Sequence, residues 1–597
     1  MKQKKRSEIN IQDTWDLTPI FKTKEEFLSS YQKFEEEYLN ILKYKNHILD
    51  NSKSMLEFLE LSDKLERKLY KLYYYAHLNF DVDTTNNESQ KMLGMVDNIM
   101  VKYNEATSFV LPELLKSDYE KVLKYLKIEP NLKKYQYNLE KIYRYKSHTL
   151  SEKEEKILSS LGVSLGASET IFETLTDSDM VFPSITVDGV KHEFTESNYS
   201  TFIESLDRTT RKKAFSILFK TYEKFNHTIA DTFRLNVEAN TKVAKLKNYD
   251  SAITASLFHD NISLDVYNNL IKTVNDNLDV LYKYYDLKRE VLNLDKLHLY
   301  DIYTPMVNDF NQSYSFEEAK NIVLEGLKVL GNEYQENLEN AFNNRYIDIY
   351  NNKGKRSGAY SSGFYDTNPY ILLNFEGKYD DVTTLAHELG HSMHTMYSCK
   401  NNPYNTSSYQ IFVAEVASTV NELILVKYLL KKAVKKEEKL YLLNRLMELF
   451  KGTIFRQTMF AEFERDMYFD HEKGIILTSD YLNDNYYKLV KKYFGKNVSC
   501  DKLIKYEWSR IPHFYYDFYV YKYAIGLSAA CKIVHDIETN GISSVRKYLE
   551  FLKTGGSMDP ALELLVCDVD INSQDFILEA IKMFDATILE FKTIYNE

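Results

Sequence analysis

The sequence predicts a mainly α-helical protein with a small amount of β-structure. Long charged segments carry apolar residues three and four positions apart, which is the spacing of one face of a helix. Such segments fill most of the 597 residues, and only two short stretches have the composition of strands. No repeat period connects the segments, so a repeat solenoid is not supported.

Composition and charge narrow the possible functions. Apolar residues make up 44% and charged residues 27%, as in an ordinary soluble globular protein. A net charge of −11 implies no large basic face, so we expect neither nucleic-acid nor membrane binding. No uncharged apolar run of 18 residues and no apolar signal segment is present. Four widely spaced cysteines indicate reduced thiols. We therefore predict a cytoplasmic protein, with a monomer favoured.

The first helical region runs from about residue 22 to residue 128. One of its helices has an apolar stripe that consists of Leu56, Leu59, Leu61, Leu65, Leu69 and Leu72. Tyrosines at positions 70, 73, 74 and 75 widen this stripe, and we interpret them as core packing with hydroxyl groups at the rim. Further along, Ser151 and Glu154 have the spacing of a capping box and predict the start of another helix.

A β-hairpin is predicted after about 175 mostly helical residues. Residues 181–187 and 190–194 flank Asp188-Gly189, a strong two-residue turn signal. His192 lies in the second strand and is expected to face solvent. The change from a helical to a strand-like residue pattern predicts a division into an N-terminal helical lobe, residues 1–195, and a second helical domain, residues 196–597.

The second β-rich stretch has two parts. Residues 354–363 are rich in glycine and serine and predict a mobile loop. Residues 370–375 suit a strand.

The pattern His-Glu-x-x-His follows at residues 387–391, inside an apolar stretch that suits a helix. His387 and His391 are four positions apart, so both rings project from one face and can meet a single metal ion. Glu388 lies roughly 100° around the helix from His387, within reach of a metal-bound water. This combination is typical of zinc peptidases. A helix-interior glycine costs about 1 kcal/mol relative to alanine, so Gly390 indicates close approach of another backbone.

Helix geometry excludes a third histidine, His394, as a ligand of the same metal ion. It lies about 10 Å along the helix axis from His387, whereas zinc–nitrogen bonds are about 2.0–2.1 Å. Pairing His391 with His394 instead would leave Glu388 without a role. We therefore predict that His394 packs near the site without binding the metal.

The third ligand must lie outside the motif. The extended pattern with a third histidine is excluded because His394 stands at its glycine position and Tyr397 at its last position. A carboxylate from the following helix completes a His₂Glu site. Glu415 sits in an apolar run where an unpaired carboxylate is costly, so it is the preferred ligand. Glu422, two turns later, could instead orient a ligand histidine by a hydrogen bond.

These residues resemble the M3 family of zinc oligopeptidases, and more closely its oligoendopeptidase F branch. The motif residues 387–394 and Glu415 with the three residues after it carry the resemblance. It is strengthened by residues 354–360, 369–374 and 511–523. Tyr360 and Asn374 lie in two of these stretches and are predicted to contact substrate.

The resemblance implies a prolate, two-lobed helical body that encloses a deep channel, with zinc at its floor and a small β element near the active site. It implies one zinc ion per chain on His387, His391 and Glu415, and cleavage inside short, unfolded peptides.

The resemblance also implies a histidine and tyrosines near the C-terminus that close over the substrate. His513 matches by its Ile-Pro-His context. We prefer Tyr523 as oxyanion donor, with Tyr516 and Tyr519 as substrate contacts. At least two of the five tyrosines at 515, 516, 519, 521 and 523 are expected to be ordinary packing.

The predicted mechanism uses a zinc-bound water, with Glu388 as general base and His513 and Tyr523 as hydrogen-bond donors to the oxyanion. The strand at 370–375 is expected to pair with the peptide substrate. Two alternatives remain: a zinc carboxypeptidase of similar helical fold, and a catalytically inert helical peptide-binding protein. An intact Glu388 argues against the inert protein, because binding alone needs no base.

Overall fold

A computed structural model gives the structure of the protein over residues 3–307 and 312–597. Helices take up 71% of the chain and strands 3%, so the prediction of a mainly α protein is confirmed. The chain forms two compact units, each of three segments. Unit 1 comprises Met1–Ser147, Gln312–Tyr428 and Ile533–Asp568, and unit 2 comprises His148–Asn311, Leu429–Lys532 and Val569–Glu597. The predicted division at residue 195 and the predicted channel stay predictions.

The α-helices in chain order are α1 (Lys24–Glu37), α2 (Ser52–Asp81), α3 (Asn87–Thr107), α4 (Val110–Leu115), α5 (Tyr119–Ile128), α6 (Gln136–Arg144), α7 (Glu152–Ser160), α8 (Gly162–Leu165), α9 (Ala167–Glu173), α10 (Tyr199–Ile203), α11 (Arg208–Leu246), α12 (Ala252–Phe258), α13 (Leu264–Asp276), α14 (Leu278–Val291), α15 (Phe316–Gly326), α16 (Asn332–Asn343), α17 (Tyr379–Asn401), α18 (Ile411–Lys432), α19 (Lys436–Phe450), α20 (Gln457–Glu472), α21 (Ser479–Phe494), α22 (Tyr521–Asn540), α23 (Ile542–Thr554), α24 (Pro560–Leu565) and α25 (Asp575–Asn596). The predicted capping box at Ser151 and Glu154 is confirmed at the start of α7. Within the described residues no helix is long and apolar enough to cross a membrane.

The strands form three small sheets. They are β1 (Ile185–Val187), β2 (Val190–His192), β3 (Leu297–His298), β4 (Ile347–Asp348), β5 (Tyr360–Ser362), β6 (Tyr370–Leu372) and β7 (Val498–Ser499). β1 pairs antiparallel with β2 around Asp188 and Gly189, which have φ of 49° and 80°, so the predicted hairpin is confirmed. His192 is exposed, as predicted. β3 pairs with β7, and the third sheet has the order β4-β6-β5.

The N-terminal part of unit 1 packs around α2. Three leucines of the predicted stripe are buried (Leu65, Leu69 and Leu72), and the other three pack against them partly buried. Tyr73 and Tyr75 also pack against this core, whereas Tyr70 and Tyr74 line a cavity. The interpretation of these tyrosines as core packing is therefore incomplete, because two of the four face open space.

Unit 2 is organised around α11, which spans 39 residues. Its second turn carries Arg211, which is buried together with Asp301, and the two form an ion pair of 2.8 Å. Arg208 also binds Asp301, at 2.9 Å. A buried carboxylate without a cation is costly, so these two arginines allow Asp301 to lie fully buried.

Candidate metal centre

The candidate site lies in unit 1 on α17 and α18. Acidic residues start α17: the Asp381 carboxylate accepts the backbone N–H groups of Glu376 and Lys378 at 2.9 and 2.8 Å. Such a carboxylate satisfies N–H groups at the N-cap and just before it, and it complements the positive end of the helix dipole. The helix then continues through the whole His-Glu-x-x-His motif.

Close contact between the two helices depends on Gly390. A Cβ atom there would lie 2.6 Å from Ser418 Cα and 2.7 Å from the Ala417 carbonyl oxygen, both in the α18 backbone. The close approach predicted for this glycine is therefore confirmed. Asn421 of α18 joins the helices further, since its amide donates to the Ala386 carbonyl at 3.0 Å.

Three side chains converge at this contact. The Nε2 atoms of His387 and His391 are 3.1 Å apart, and Glu415 Oε2 lies 3.4 Å from the first and 3.7 Å from the second. Tetrahedral zinc with bonds of about 2.0–2.2 Å separates its ligand atoms by about 3.3–3.6 Å. Two imidazoles and one carboxylate are also the donor types of a His₂Glu site, so these residues fit a metal such as zinc.

Further contacts orient both histidines. The Glu422 carboxylate binds His387 Nδ1, and His391 donates a hydrogen bond to the Ala414 backbone. Burial lowers the pKa of His387, but hydrogen bonds to Glu415 and Glu422 and the charges of Glu422 and Glu388 raise it to about 10. Burial and the neighbouring His387 lower the pKa of His391 to about 4. Each ring therefore turns its Nε2 atom towards Glu415.

Glu388 is buried next to β5. Burial raises its pKa to about 7, the positive charge on His387 opposes this, and the backbone N–H of Ser361 donates to its carboxylate. The Ser361 hydroxyl also contacts the Ser392 hydroxyl, at 2.8 Å. Strand β5 is therefore the small β element that borders the motif helix, as the sequence predicted.

His394 packs away from the ligand atoms. It is fully buried and stacks on Tyr409, with ring centroids 3.7 Å apart. Burial lowers its pKa to about 3, so the ring is neutral. Its two nitrogens have no hydrogen-bond partner within the described part of the chain. Its position agrees with the predicted packing role, whereas nothing in the sequence singled out Tyr409.

Tyr360 and Asn374, predicted to contact substrate, are engaged within unit 1. The Tyr360 hydroxyl donates to Asp81 at 2.7 Å. The Asn374 amide donates to the carbonyl oxygens of Arg356 and Gly358, at 2.9 and 2.8 Å. These contacts shape the loop before β5, and a role of either residue in substrate binding stays a prediction.

The expectation that the strand at 370–375 pairs with substrate is wrong for β6. β6 is the middle strand of its sheet, between β4 and β5, and its three residues are fully buried. Both of its edges are therefore occupied by neighbouring strands. The edge strand of this sheet nearest to Glu388 is β5.

His513, Tyr516, Tyr519 and Tyr523 belong to unit 2. The ring centroid of His513 lies 5.6 Å from that of Tyr516 and 6.1 Å from that of Tyr523. The Tyr519 and Tyr523 rings are 5.3 Å apart. The structure therefore gathers these four aromatic residues into one group, which we call the His513 cluster.

Two neighbouring tyrosines have different surroundings. Tyr515 is buried, and its hydroxyl contacts the Thr232 hydroxyl at 2.7 Å. Tyr521 is buried against Tyr267, with ring centroids 4.9 Å apart. Both pack in the core of unit 2, whereas Tyr516 is 42% exposed.

Residues 201–583 match the family model described as Peptidase family M3, and residues 113–182 match the one described as Oligopeptidase F. The chain belongs to peptidase family M3. It is 42% identical to Oligopeptidase PepF of Bacillus subtilis, over 99% of this chain and 88% of that protein. It is 40% identical to Group B oligopeptidase PepB of Streptococcus agalactiae, over 99% of this chain and 98% of that protein.

Crystal structures agree with this M3 assignment. The fold matches a protein from Chlamydophila abortus with a TM-score of 0.95 and 38% identity, covering 99% of this chain and 100% of that chain. It matches oligoendopeptidase-F from Enterococcus faecium with a TM-score of 0.74 and 34% identity, covering 96% and 99%. The chain is therefore a metallopeptidase of the oligopeptidase F branch of family M3.

Proposed function

We propose that this M3 peptidase is a zinc-dependent endopeptidase that cleaves internal bonds of short, unfolded peptides. The observation that carries the proposal is the cluster of His387, His391 and Glu415, with Glu388 buried beside it. The names of the relatives, oligopeptidase and oligoendopeptidase, support short peptides as substrates.

The proposed ligands of one zinc ion are His387, His391 and Glu415. Bound there, zinc supplies Lewis-acid polarisation of the scissile carbonyl and lowers the pKa of the attacking water. Glu422 keeps the His387 ring in the orientation that turns Nε2 towards Glu415, because it binds the opposite ring nitrogen.

Glu388 acts as the general base in this proposal. Its carboxylate takes a proton from the attacking water and later delivers it to the leaving amine. The hydrogen bond from the Ser361 N–H holds the carboxylate in place during both transfers. Glu388 is not needed as a ligand, so its removal separates catalysis from metal binding.

The His513 cluster supplies the donors for the tetrahedral oxyanion in this proposal. Burial lowers the pKa of His513, so the ring is neutral near pH 7 and one of its nitrogens carries a proton to donate. Tyr523 is the second proposed donor, with Tyr516 and Tyr519 against the substrate.

Strand β5 is the proposed partner of the substrate backbone, in place of β6. It lies at the edge of its sheet, and its Ser361 N–H already points to Glu388. An extended peptide added at this edge would lie along the catalytic carboxylate and gain main-chain hydrogen bonds with little sequence selectivity.

The test uses Glu388→Gln and a fluorogenic peptide that is blocked at both ends. We expect zinc content to stay unchanged by metal analysis and kcat to fall by roughly 10²–10⁴. The exposed Glu376→Gln serves as control and should keep wild-type turnover. Wild-type turnover by Glu388→Gln would refute the assignment of the base.

Mass spectrometry of the products tests the position of cleavage. Internal cleavage of the doubly blocked peptide is expected for an endopeptidase. Release of single C-terminal residues from unblocked peptides, with the blocked peptide intact, would instead establish the carboxypeptidase alternative.

A further inference from the structure

Unit 1 contains a cavity of about 470 Å³ that the proposed chemistry does not use. One face of α2 forms a wall of it, from Leu59 through Asp63 and Glu66 to Tyr70 and Tyr74. These positions recur every three or four residues, so they share one side of the helix. We call this space the α2 cavity. Residues of α4, Tyr135, residues of α6 and parts of the segments 364–365 and 404–408 also line it.

Two carboxyl groups of this wall have only neutral hydrogen-bond donors. Asp63 accepts the Tyr135 hydroxyl at 2.7 Å. Glu66 accepts the Ser62 hydroxyl at 3.0 Å and the Tyr404 hydroxyl at 3.4 Å. Across residues 3–307 and 312–597, neither carboxyl group has an ion pair within 4 Å.

The basic side chains that lie near Asp63 are already paired elsewhere. Arg67 binds Asp366 through two nitrogens, at 2.7 and 2.5 Å. Lys134 binds Glu60 at 3.0 Å. Burial raises the pKa values of both Asp63 and Glu66, because an ionised carboxyl group that is enclosed without a cation has an unfavourable free energy. A cationic ligand would offset that unfavourable free energy.

The remaining lining suits the same kind of ligand. Tyr74 stacks on Phe364 with centroids 4.8 Å apart, and Tyr365 meets Tyr404 edge to face at 5.8 Å. On this lining the guanidinium of Arg67 already packs over the Tyr365 ring, at 4.8 Å. Aromatic faces beside carboxylates bind guanidinium and ammonium groups by cation–π attraction and by charge.

We propose that the α2 cavity is a specificity subsite that takes an arginine or lysine side chain of a peptide substrate, with Glu66 as its main charge partner. The inference rests on the proposed peptidase function and deepens it. Asp63 contributes less, because its neighbours include Lys134 and Arg67.

The cavity shares two chain segments with the candidate metal centre. Phe364 lies two residues after β5, the strand whose Ser361 contacts Glu388. Ser408 lies three residues before α18, a span of at most about 11 Å, and Glu415 is about 6 Å further along the helix axis. An extended peptide covers this distance in about five residues. The basic residue should therefore lie within about five positions of the cleaved bond.

The experiment compares pairs of doubly blocked peptides that differ at one position, arginine in one and neutral citrulline in the other. The pair is moved from one to six residues away from the cleaved bond. We expect arginine to raise kcat/KM at one or two adjacent positions by roughly tenfold to a hundredfold, as for hydrogen bonds to charged groups. Equal kcat/KM values at all six positions would overturn the proposal.

Two variants of α2 identify the charge partner. Glu66→Gln should bring the ratio of the arginine and citrulline kcat/KM values down towards one, and Asp63→Asn should lower it less. Glu57→Gln removes the same charge from the same helix outside the cavity and should leave the ratio unchanged. A ratio that Glu57→Gln lowers as much as Glu66→Gln does would overturn the proposal, since only the general field would matter. Thermal unfolding checks that Glu66→Gln folds. If this variant does not fold, the effect of Asp63→Asn on the ratio of the arginine and citrulline kcat/KM values shows whether the preference depends on the cavity.

Free agmatine distinguishes a peptide side chain from a separate small cation. Weak inhibition, together with a position-dependent preference for arginine, supports the subsite. Strong inhibition that depends on Glu66, without any positional preference for arginine, would overturn it in favour of a small-molecule site.

The proposed function fails separately, when neither the arginine nor the citrulline peptides are cleaved at all. In that case calorimetry with the arginine and citrulline peptides still tests the cavity. Tighter binding of the arginine peptide that is lost in Glu66→Gln supports it, and equal binding of the two peptides overturns it.

Discussion

Unit 1 holds His387, His391 and Glu415 on two regular helices, whereas the His513 cluster of unit 2 starts in a 3₁₀ turn, continues through a segment without regular structure and ends in the first turn of α22. In unit 1 the spacing of the two histidines follows from helix periodicity, and Gly390 lets the backbone of α18 lie against α17. Between the 3₁₀ turn Pro512–Tyr515 and α22, by contrast, unit 2 has no helix or strand.

The segment of unit 2 is held by tertiary contacts. Asp517 and Phe518 both have positive φ, 50° and 61°, which is unfavourable for residues other than glycine. The backbone N–H of Phe518 donates to the buried Glu464 carboxyl group at 2.8 Å. Asn240 donates to the Asp517 side chain. The proposed metal cluster therefore depends on two helices that follow each other in the chain, whereas the His513 cluster depends on residues distant in sequence.

The largest expected effect comes from removing the proposed carboxylate ligand. Glu415→Gln replaces an anionic donor with a neutral amide, so the chain should retain far less than the one zinc ion that a His₂Glu site holds. Turnover should fall in proportion to the zinc content. Metal analysis after dialysis and peptide assays check both, with the exposed Glu333→Gln as control. Full zinc occupancy in Glu415→Gln would break the assignment of the third ligand.

Removal of a proposed oxyanion donor should have the next largest effect. Tyr523→Phe and His513→Gln should each lower kcat by roughly 10²–10³, while zinc content and KM change little. This result would separate the two regions, with metal binding in unit 1 and transition-state stabilisation in unit 2. Steady-state kinetics and metal analysis provide the measurement. Tyr481→Phe, which removes a hydroxyl elsewhere in unit 2, should leave kcat unchanged; an equal loss there would show that the effect is structural.

Loss of the contact behind His387 should have a smaller effect. Glu422→Gln keeps a hydrogen-bond acceptor but removes the charge, so zinc affinity should fall by roughly 10–100-fold. Competition with a chelator measures this change. Turnover at saturating zinc should stay close to that of the wild type. An affinity equal to that of wild type would show that α17 alone orients the ring.

The smallest expected effect is on stability and comes from the buried carboxyl group of Glu464, which accepts the backbone N–H of Phe518. Burial raises the pKa of Glu464 well above its usual value, so the folded state holds a proton that the unfolded chain releases near pH 4.5. Its contribution to stability is fully present below about pH 4.5 and is lost as the pH rises towards the folded-state pKa.

Glu464→Gln should therefore keep the contact with Phe518 and flatten the loss of stability that sets in above about pH 4.5. Thermal unfolding of both proteins at several pH values from 5 to 9 checks this difference. The exposed Asp484→Asn should follow the wild-type curve. Parallel curves for wild type and Glu464→Gln would mean that the side chain is ionised in the folded state.

The helical fold class, the hairpin at Asp188-Gly189 and the candidate metal motif were predictable from the sequence alone. Each of these depends on local periodicity or on a turn residue, so it can be recognised without knowing what lies opposite. Glu415 could also be singled out, because a carboxylate within an apolar run requires a partner. The position of Gly390 was similarly informative, since a glycine inside a helix is unfavourable without close packing.

The features that depend on contacts across the chain became visible only in the folded structure. It placed β6 in the middle of its sheet and left β5 as the edge next to Glu388, which no property of the strand sequences could reveal. It turned Tyr70 and Tyr74 towards a cavity with Glu66, although the helical pattern of α2 favours core packing. The physical reason is that periodicity fixes which side chains share a face, whereas the neighbouring segments fix whether that face meets core, solvent or a ligand.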